Sequence, residues 1–134
     1  MVGGSKIQCF KTPTRTYASG RTFYEWVFNG EKLYQQLRYQ LDYSLFNGVN
    51  HRGKILFETF PHAVVCALAG RLVPAQPKAI TRRRMLRDHG YDDSLLKNLD
   101  FVDAALCALS AERFLLGRAH YFGNAEEGFI VVPS

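Results

Sequence analysis

Three acids stand where an apolar segment would not ordinarily place one. Glu58 is the lone carboxylate of the run KILFETFPHAVV (54–65), and Asp100 and Asp103 lie three apart at the start of NLDFVDAALCALSAERFLLG, sharing one face if that stretch is helical. An unpaired carboxylate is costly to bury unless it is paired or holds a cation. An acid near the C-terminal end of a buried strand, with one or two acids at a helix start, is a donor set suited to Mg2+ or Mn2+. Such ions take a few carboxylates, keep several waters and accept phosphate oxygens in their remaining positions. Two of them about 4 Å apart activate water and stabilise the leaving oxygen of a phosphodiester. The expected metal ligands and catalytic carboxylates are therefore Glu58 and Asp103, assisted by Asp100.

Each acid also has a plainer reading. Glu58 can turn its head to solvent at a sheet edge or pair with an arginine, and Asp100 can cap its helix and complement the positive end of the macrodipole. That account is weaker for Asp103, which borders the apolar stretch AALCAL. His62, one turn past Glu58, either contacts water or phosphate beside the metal or hydrogen-bonds neighbouring backbone. Arg82, Arg83, Arg84 and Arg87 concentrate much of a net charge of +5. They are candidate nucleic-acid contacts, although a solvated helix face uses such a run as well. Glu126 and Glu127 read as exposed turn acids.

These residues need elements to position them. Leu33, Leu37, Leu41 and Leu45 recur every four residues and predict a helix over 31–46, after a helical turn or two broken near Asn29 and Gly30. NGVNHRG (47–53) reads as a turn, and KILFETF as a short strand buried on both faces. Pro61 starts the next helix and Gly70 stops it. A helix over 81–89 carries the arginines on its outer side, and YDDSLLKN reads as a possible short helix. The stretch 99–116 predicts the longest helix. The tail is a hairpin around GNAEEG with its second strand at 129–132. KIQCF (6–10) reads as one extended piece.

At 134 residues with 47% hydrophobic content the chain suits one packed domain spanning 1–134. No apolar stretch spans a bilayer and no secretory h-region opens the sequence, so a cytoplasmic location is expected. Cys9, Cys66 and Cys107 are widely spaced and read as reduced thiols rather than a disulfide or zinc framework.

The segments ETFPHAVVCALAG, RRRMLRDHG, LDFVDAALCALSAERFLLG and GNAEEGFIVVP resemble the C-terminal part of a family of bacterial and archaeal proteins described as predicted nucleases of RNase H-like fold (domain of unknown function 429). The D-x-x-D-A pair is also similar to the later carboxylates of Holliday-junction resolvases. The resemblance implies a helix-rich α/β fold of the RNase H-like class with a short sheet. It places Glu58 on the fourth strand and Asp103, with Asp100, on the final helix. In that pattern a first strand carrying a catalytic aspartate precedes everything else, and MVGGSKIQCFKTPTR supplies none. The expected picture is thus the C-terminal part of a metal-dependent nuclease, active only when completed, or a non-catalytic nucleic-acid-binding or assembly module keeping the same fold. A sheet that short leaves its edge uncovered, so a homo-oligomer or a partner chain completing it is expected.

Overall fold

The computed structural model describes Thr14, residues 19–20 and residues 22–134 apart from 127. The extended piece expected at 6–10 and Cys9 lie outside them. A 3-10 turn (Thr22–Tyr24) leads into α1 (Glu25–Leu41), which runs unbroken through Asn29 and Gly30. It ends five residues before the predicted end at 46. Asp42 takes a left-handed conformation (φ 58°) and returns its N–H to the Leu37 carbonyl, a stop that a short polar side chain tolerates. Leu45 is thereby released from the helix into a strand. None of the 17 residues of α1 is buried, and Leu33 and Leu41 are half exposed.

Two parallel strands follow, β1 (Ser44–Leu45) and β2 (Ile55–Leu56), in the register Ser44 to Ile55 and Leu45 to Leu56. The loop between them is the expected turn cluster, held by Asn47 Oδ1 accepting the Val49 and Asn50 N–H groups at 3.0 Å each. At the other end of the chain, β3 (Ala119–Asn124) and β4 (Gly128–Pro133) form the expected hairpin, with Ala119 opposite Pro133 and Asn124 opposite Gly128. Gly123 (φ +130°) is required here, because a Cβ at that position would lie 2.1 Å from the Gly128 carbonyl oxygen. The two ladders are joined by a parallel bridge between Glu58 and Ile130. Glu58 N–H donates to Phe129 O (3.3 Å) and Val131 N–H to Glu58 O (2.8 Å). The strands form two two-stranded sheets, β1-β2 and β3-β4, linked by this single bridge two residues past the end of β2.

Three helices lie between β2 and β3. α2 (Pro61–Ala69) begins on its proline and ends at Gly70 (φ 64°), as the sequence predicts. α3 (Lys78–Asp88) starts three residues before the expected position, and α4 (Leu99–Leu115) matches its prediction closely. YDDSLLKN is not helical. Asp92 instead accepts the Ser94 N–H (2.9 Å) in a local turn, a use of aspartate that competes with helix formation.

The core sits where these helices meet. Val64 and Val65 of α2, Leu86 of α3, and Val102, Leu106 and Leu109 of α4 are all 2% exposed or less. Val131 and Val132 point to opposite sides of β4. Val131 packs with Phe114 of α4 and Phe46, and Val132 with Ala63 and Cys66 of α2. β4 thus runs between α4 on one face and α2 on the other. No described helix is long and apolar enough to cross a membrane.

Candidate functional site

Asn98, not Asp100, caps α4: its side chain accepts the Phe101 N–H at 3.0 Å. Asp100 is an exposed first-turn acid, placed to complement the helix dipole. Asp103, one turn further, is half buried, and both of its oxygens accept from Nη1 of Arg82. The packing explains the pair. Arg82 precedes Leu86 by one turn on α3, and Leu86 is inserted between Val102 and Leu106 of α4, so the Arg82 side chain lies in that same helix interface. A guanidinium enclosed there, 9% exposed, needs an acid, and Asp103 faces it.

The expectation that the arginines occupy the outer side of α3 is corrected at two positions. Arg82 is buried. Arg83 is half buried and donates to the Asp93 carboxylate (3.1 Å), to the Asp93 carbonyl (3.0 Å) and to the Leu96 carbonyl. Arg87 is exposed but also reaches Asp93 (3.1 Å), and exposed Arg84 pairs with Asp88 (3.4 Å) one turn along. The reason is the segment 91–98, which is not a helix and satisfies its polar groups through these guanidinium donors.

Burial works against the charge of Asp93, but hydrogen bonds and positive charge from Arg83 and Arg87 outweigh it and hold the carboxyl below its ordinary range. A carboxyl whose folded value is depressed contributes stability that is present above its unfolded value. That contribution is lost as pH falls through the folded value. Asp93→Asn is therefore expected to lower the neutral-pH denaturation midpoint and to flatten the decline of stability below about pH 4. Urea melts of both proteins across pH 2–7 check this, and parallel acid limbs would refute it.

Glu58 is not in a strand buried on both faces. Phe57 stacks on Phe114 of α4 (centroids 4.9 Å apart) and Thr59 Oγ1 lies 3.5 Å from Ser110 Oγ of the same helix. Successive side chains of an extended chain alternate, so Glu58 is turned to the opposite face, toward α2, and is exposed. Among the described residues no cation pairs with it. Tyr34 of α1 stands beside this point and donates its hydroxyl to the Phe57 carbonyl (2.7 Å). Burial, then the negative fields of Glu58 and Cys107, push the Tyr34 phenol up to about 12. Tyr34 is thus within electrostatic reach of Glu58 on one side and of α4 on the other.

His62 is the second residue of α2. Its Nε2 lies 3.7 Å from the buried Cys66 thiol, whose sulfur accepts the Val73 N–H (3.4 Å). This is neither of the partners expected for His62. Its pKa is lowered by burial, then by the positive fields of Arg82 and Lys78. Cys107, one turn beyond Asp103, is raised by burial and by Asp103, with Arg82 opposing. Cys66 and Cys107 are both free thiols. His89 bonds within its own helix, Glu126 is exposed, and Glu127 lies outside the described residues.

The structure joins Asp103 directly to Arg82, and the fields of Arg82 reach His62 and Cys107, while Tyr34 lies within electrostatic reach of both Glu58 and Cys107. Among the described residues no three His, Cys, Asp or Glu side chains are grouped to hold a metal ion. The described residues do not by themselves fit Mg2+ or Mn2+, because no such trio is grouped and both Asp103 oxygens accept from Arg82. Tyr34, Lys78 and Ser110 escape sequence reasoning. Of the three, only Lys78 carries a signal, lying four residues from Arg82 and so on its face of α3.

No curated protein and no solved structure matches this chain. A family description that names no reaction does match, over residues 2–127, and nearly the whole chain therefore belongs to the family "Protein of unknown function (DUF429)".

Proposed function

We propose that this chain is an RNase H-like module directed at nucleic-acid phosphodiesters, hydrolysing them with Mg2+ or Mn2+ once further carboxylates are supplied by a partner segment or a second chain. The observation that carries the reading is Glu58. Among the described residues it is a carboxylate without a cation partner, two residues past β2 and three before α2, in parallel bridge with Ile130, and the RNase H-like resemblance leads us to expect an acid in such a segment. The parallel bridge from Glu58, just past β2, to Ile130 of β4, with three helices between them, supports the same fold. Arg84 and Arg87, each paired with one carboxylate, are exposed and so can reach a phosphate backbone by exchanging that partner, whereas Arg82 and Arg83 are engaged internally.

The test is cleavage of single- and double-stranded DNA and RNA by purified protein with Mn2+. Glu58→Gln is expected to lower the rate at least about a hundredfold, while leaving stability within about 0.5 kcal/mol because the side chain is exposed. Cleavage unchanged by Glu58→Gln would sink the hydrolytic reading.

The grip of Arg82 on Asp103 favours a second reading, a nucleic-acid-binding module without turnover. Salt-dependent binding that survives both Glu58→Gln and Asp103→Asn, with no cleavage, would select it, since phosphate contacts need no metal.

A further inference from the structure

The N–H and C=O groups of successive residues in a paired strand face opposite edges. In β3 the phase is fixed by Ser134, whose N–H donates to the Arg118 carbonyl (3.0 Å). Arg118 thus faces β4, as do His120, Phe122 and Asn124 by alternation, and Ala119, Tyr121 and Gly123 turn their backbone groups to the outer edge. β4 shows the same phase, because Phe129 and Val131, which stand opposite Gly123 and Tyr121, spend their backbone groups on Glu58. Among the described residues no backbone group pairs with the outer edge of β3. That edge lacks the usual defences: Ala119–Asn124 holds no acid, lysine, arginine or proline, and Tyr121 and Phe122 are exposed on it.

We propose that β3 pairs antiparallel with β3 of a second copy of this chain, about a two-fold axis at Tyr121. Outward residues can meet only outward residues, and the register centred on Tyr121 engages all three, with Ala119 against the partner subunit's Gly123 and Tyr121 against the partner subunit's Tyr121. The side chains suit this register. His120 lies opposite the partner subunit's Phe122, imidazole against ring, and the two-fold axis repeats the pair. Arg118 comes diagonally beside the partner subunit's Glu126, again twice. Arg118 and Glu126 are exposed, and among the described residues neither is in an ion pair. A cation at one end of an uncharged strand and an acid just past the other match an antiparallel copy and set like charges together in a parallel one. That complementarity selects a second copy over an unrelated extended peptide. The seam lies on the far side of the hairpin from Glu58, so it goes beyond the hydrolytic reading and does not depend on it.

The test follows the full chain through a dilution series by sedimentation and by amide hydrogen exchange. A monomer–dimer equilibrium is expected, with the Ala119 and Tyr121 amides protected at high concentration and released on dilution, while the His120 and Phe122 amides, held by β4, stay protected throughout. Arg118→Glu should weaken the dimer about three- to tenfold, since both end pairs turn repulsive, and adding Glu126→Arg should restore it. Under mild oxidation Tyr121→Cys should cross-link two chains, its Cα atoms meeting at about 5.5 Å. His120→Cys, whose two copies stand diagonally about 7 to 8 Å apart, should not. A monomer at every concentration, an outer edge protected regardless of dilution, a dimer indifferent to Arg118→Glu, or cross-linking through His120→Cys in preference to Tyr121→Cys would each overturn the proposal.

Discussion

Arg82→Met is expected to cost about 2 to 4 kcal/mol of folding stability at neutral pH. The methionine fills much of the same volume between α3 and α4, so the loss comes from Asp103, left in the helix interface with both oxygens stripped of their donor. The figure lies toward the low side of what breaking a buried pair costs, because the Asp103 side chain keeps 27% exposure and can recruit some water. Pairing Arg82→Met with Asp103→Leu should recover most of the loss, since replacing both charges by apolar groups removes the stranded one. Chemical denaturation of the two single variants and the double variant gives the coupling directly. A single-variant loss below about 0.5 kcal/mol would mean that Asp103 does not depend on Arg82, and would return the carboxylate to the pool of available metal ligands.

Leu106→Ala should cost about 2 to 5 kcal/mol. Leu106 is fully buried where α2, α3 and α4 converge, in contact with a core of branched aliphatic side chains that cannot collapse into the space it leaves. It also lies on the helix that holds Asp103 and Cys107, so a shift of α4 would move the neighbourhood of Arg82. Leu33→Ala is the contrast. The same chemical change on α1, at a side chain 52% exposed, is expected to stay within about 0.5 kcal/mol. Equal losses at the two positions would show that α1 is buried in solution in a way its exposure here does not anticipate.

Much of the helical framework was legible because local chemistry determines it. Pro61 and Gly70 bound α2 through constraints that operate on the backbone of single residues, and α4 begins on a capping asparagine and runs as one long apolar segment. The end of α1 was misread because Leu45 continues the four-residue spacing, while the stop is made by Asp42, whose left-handed conformation leaves no periodic signal. The surroundings of the arginine run and of the acids were not legible, for one shared reason. Whether a charged side chain faces water or a partner is decided by an element distant in sequence. Arg82 is buried because Asp103 is brought against it across 21 residues, and Glu58 is exposed because Phe57 and Thr59 claim the α4 face. Local pattern gave the elements; tertiary pairing decided which charges remained available for chemistry.

The bridge between Glu58 and Ile130 has a consequence for how the protein is made. Its two halves are separated by about 70 residues of chain, all three core helices included, so the sheet closes only after that loop is paid for in entropy. At ribosomal elongation rates the strand carrying Glu58 waits roughly 4 to 14 s for its pairing edge to be synthesised. During that interval a nascent chain presents an apolar strand edge interrupted by one charged group. The same carboxylate then acts as a gatekeeper, making premature edge-to-edge association with a neighbouring nascent chain less favourable.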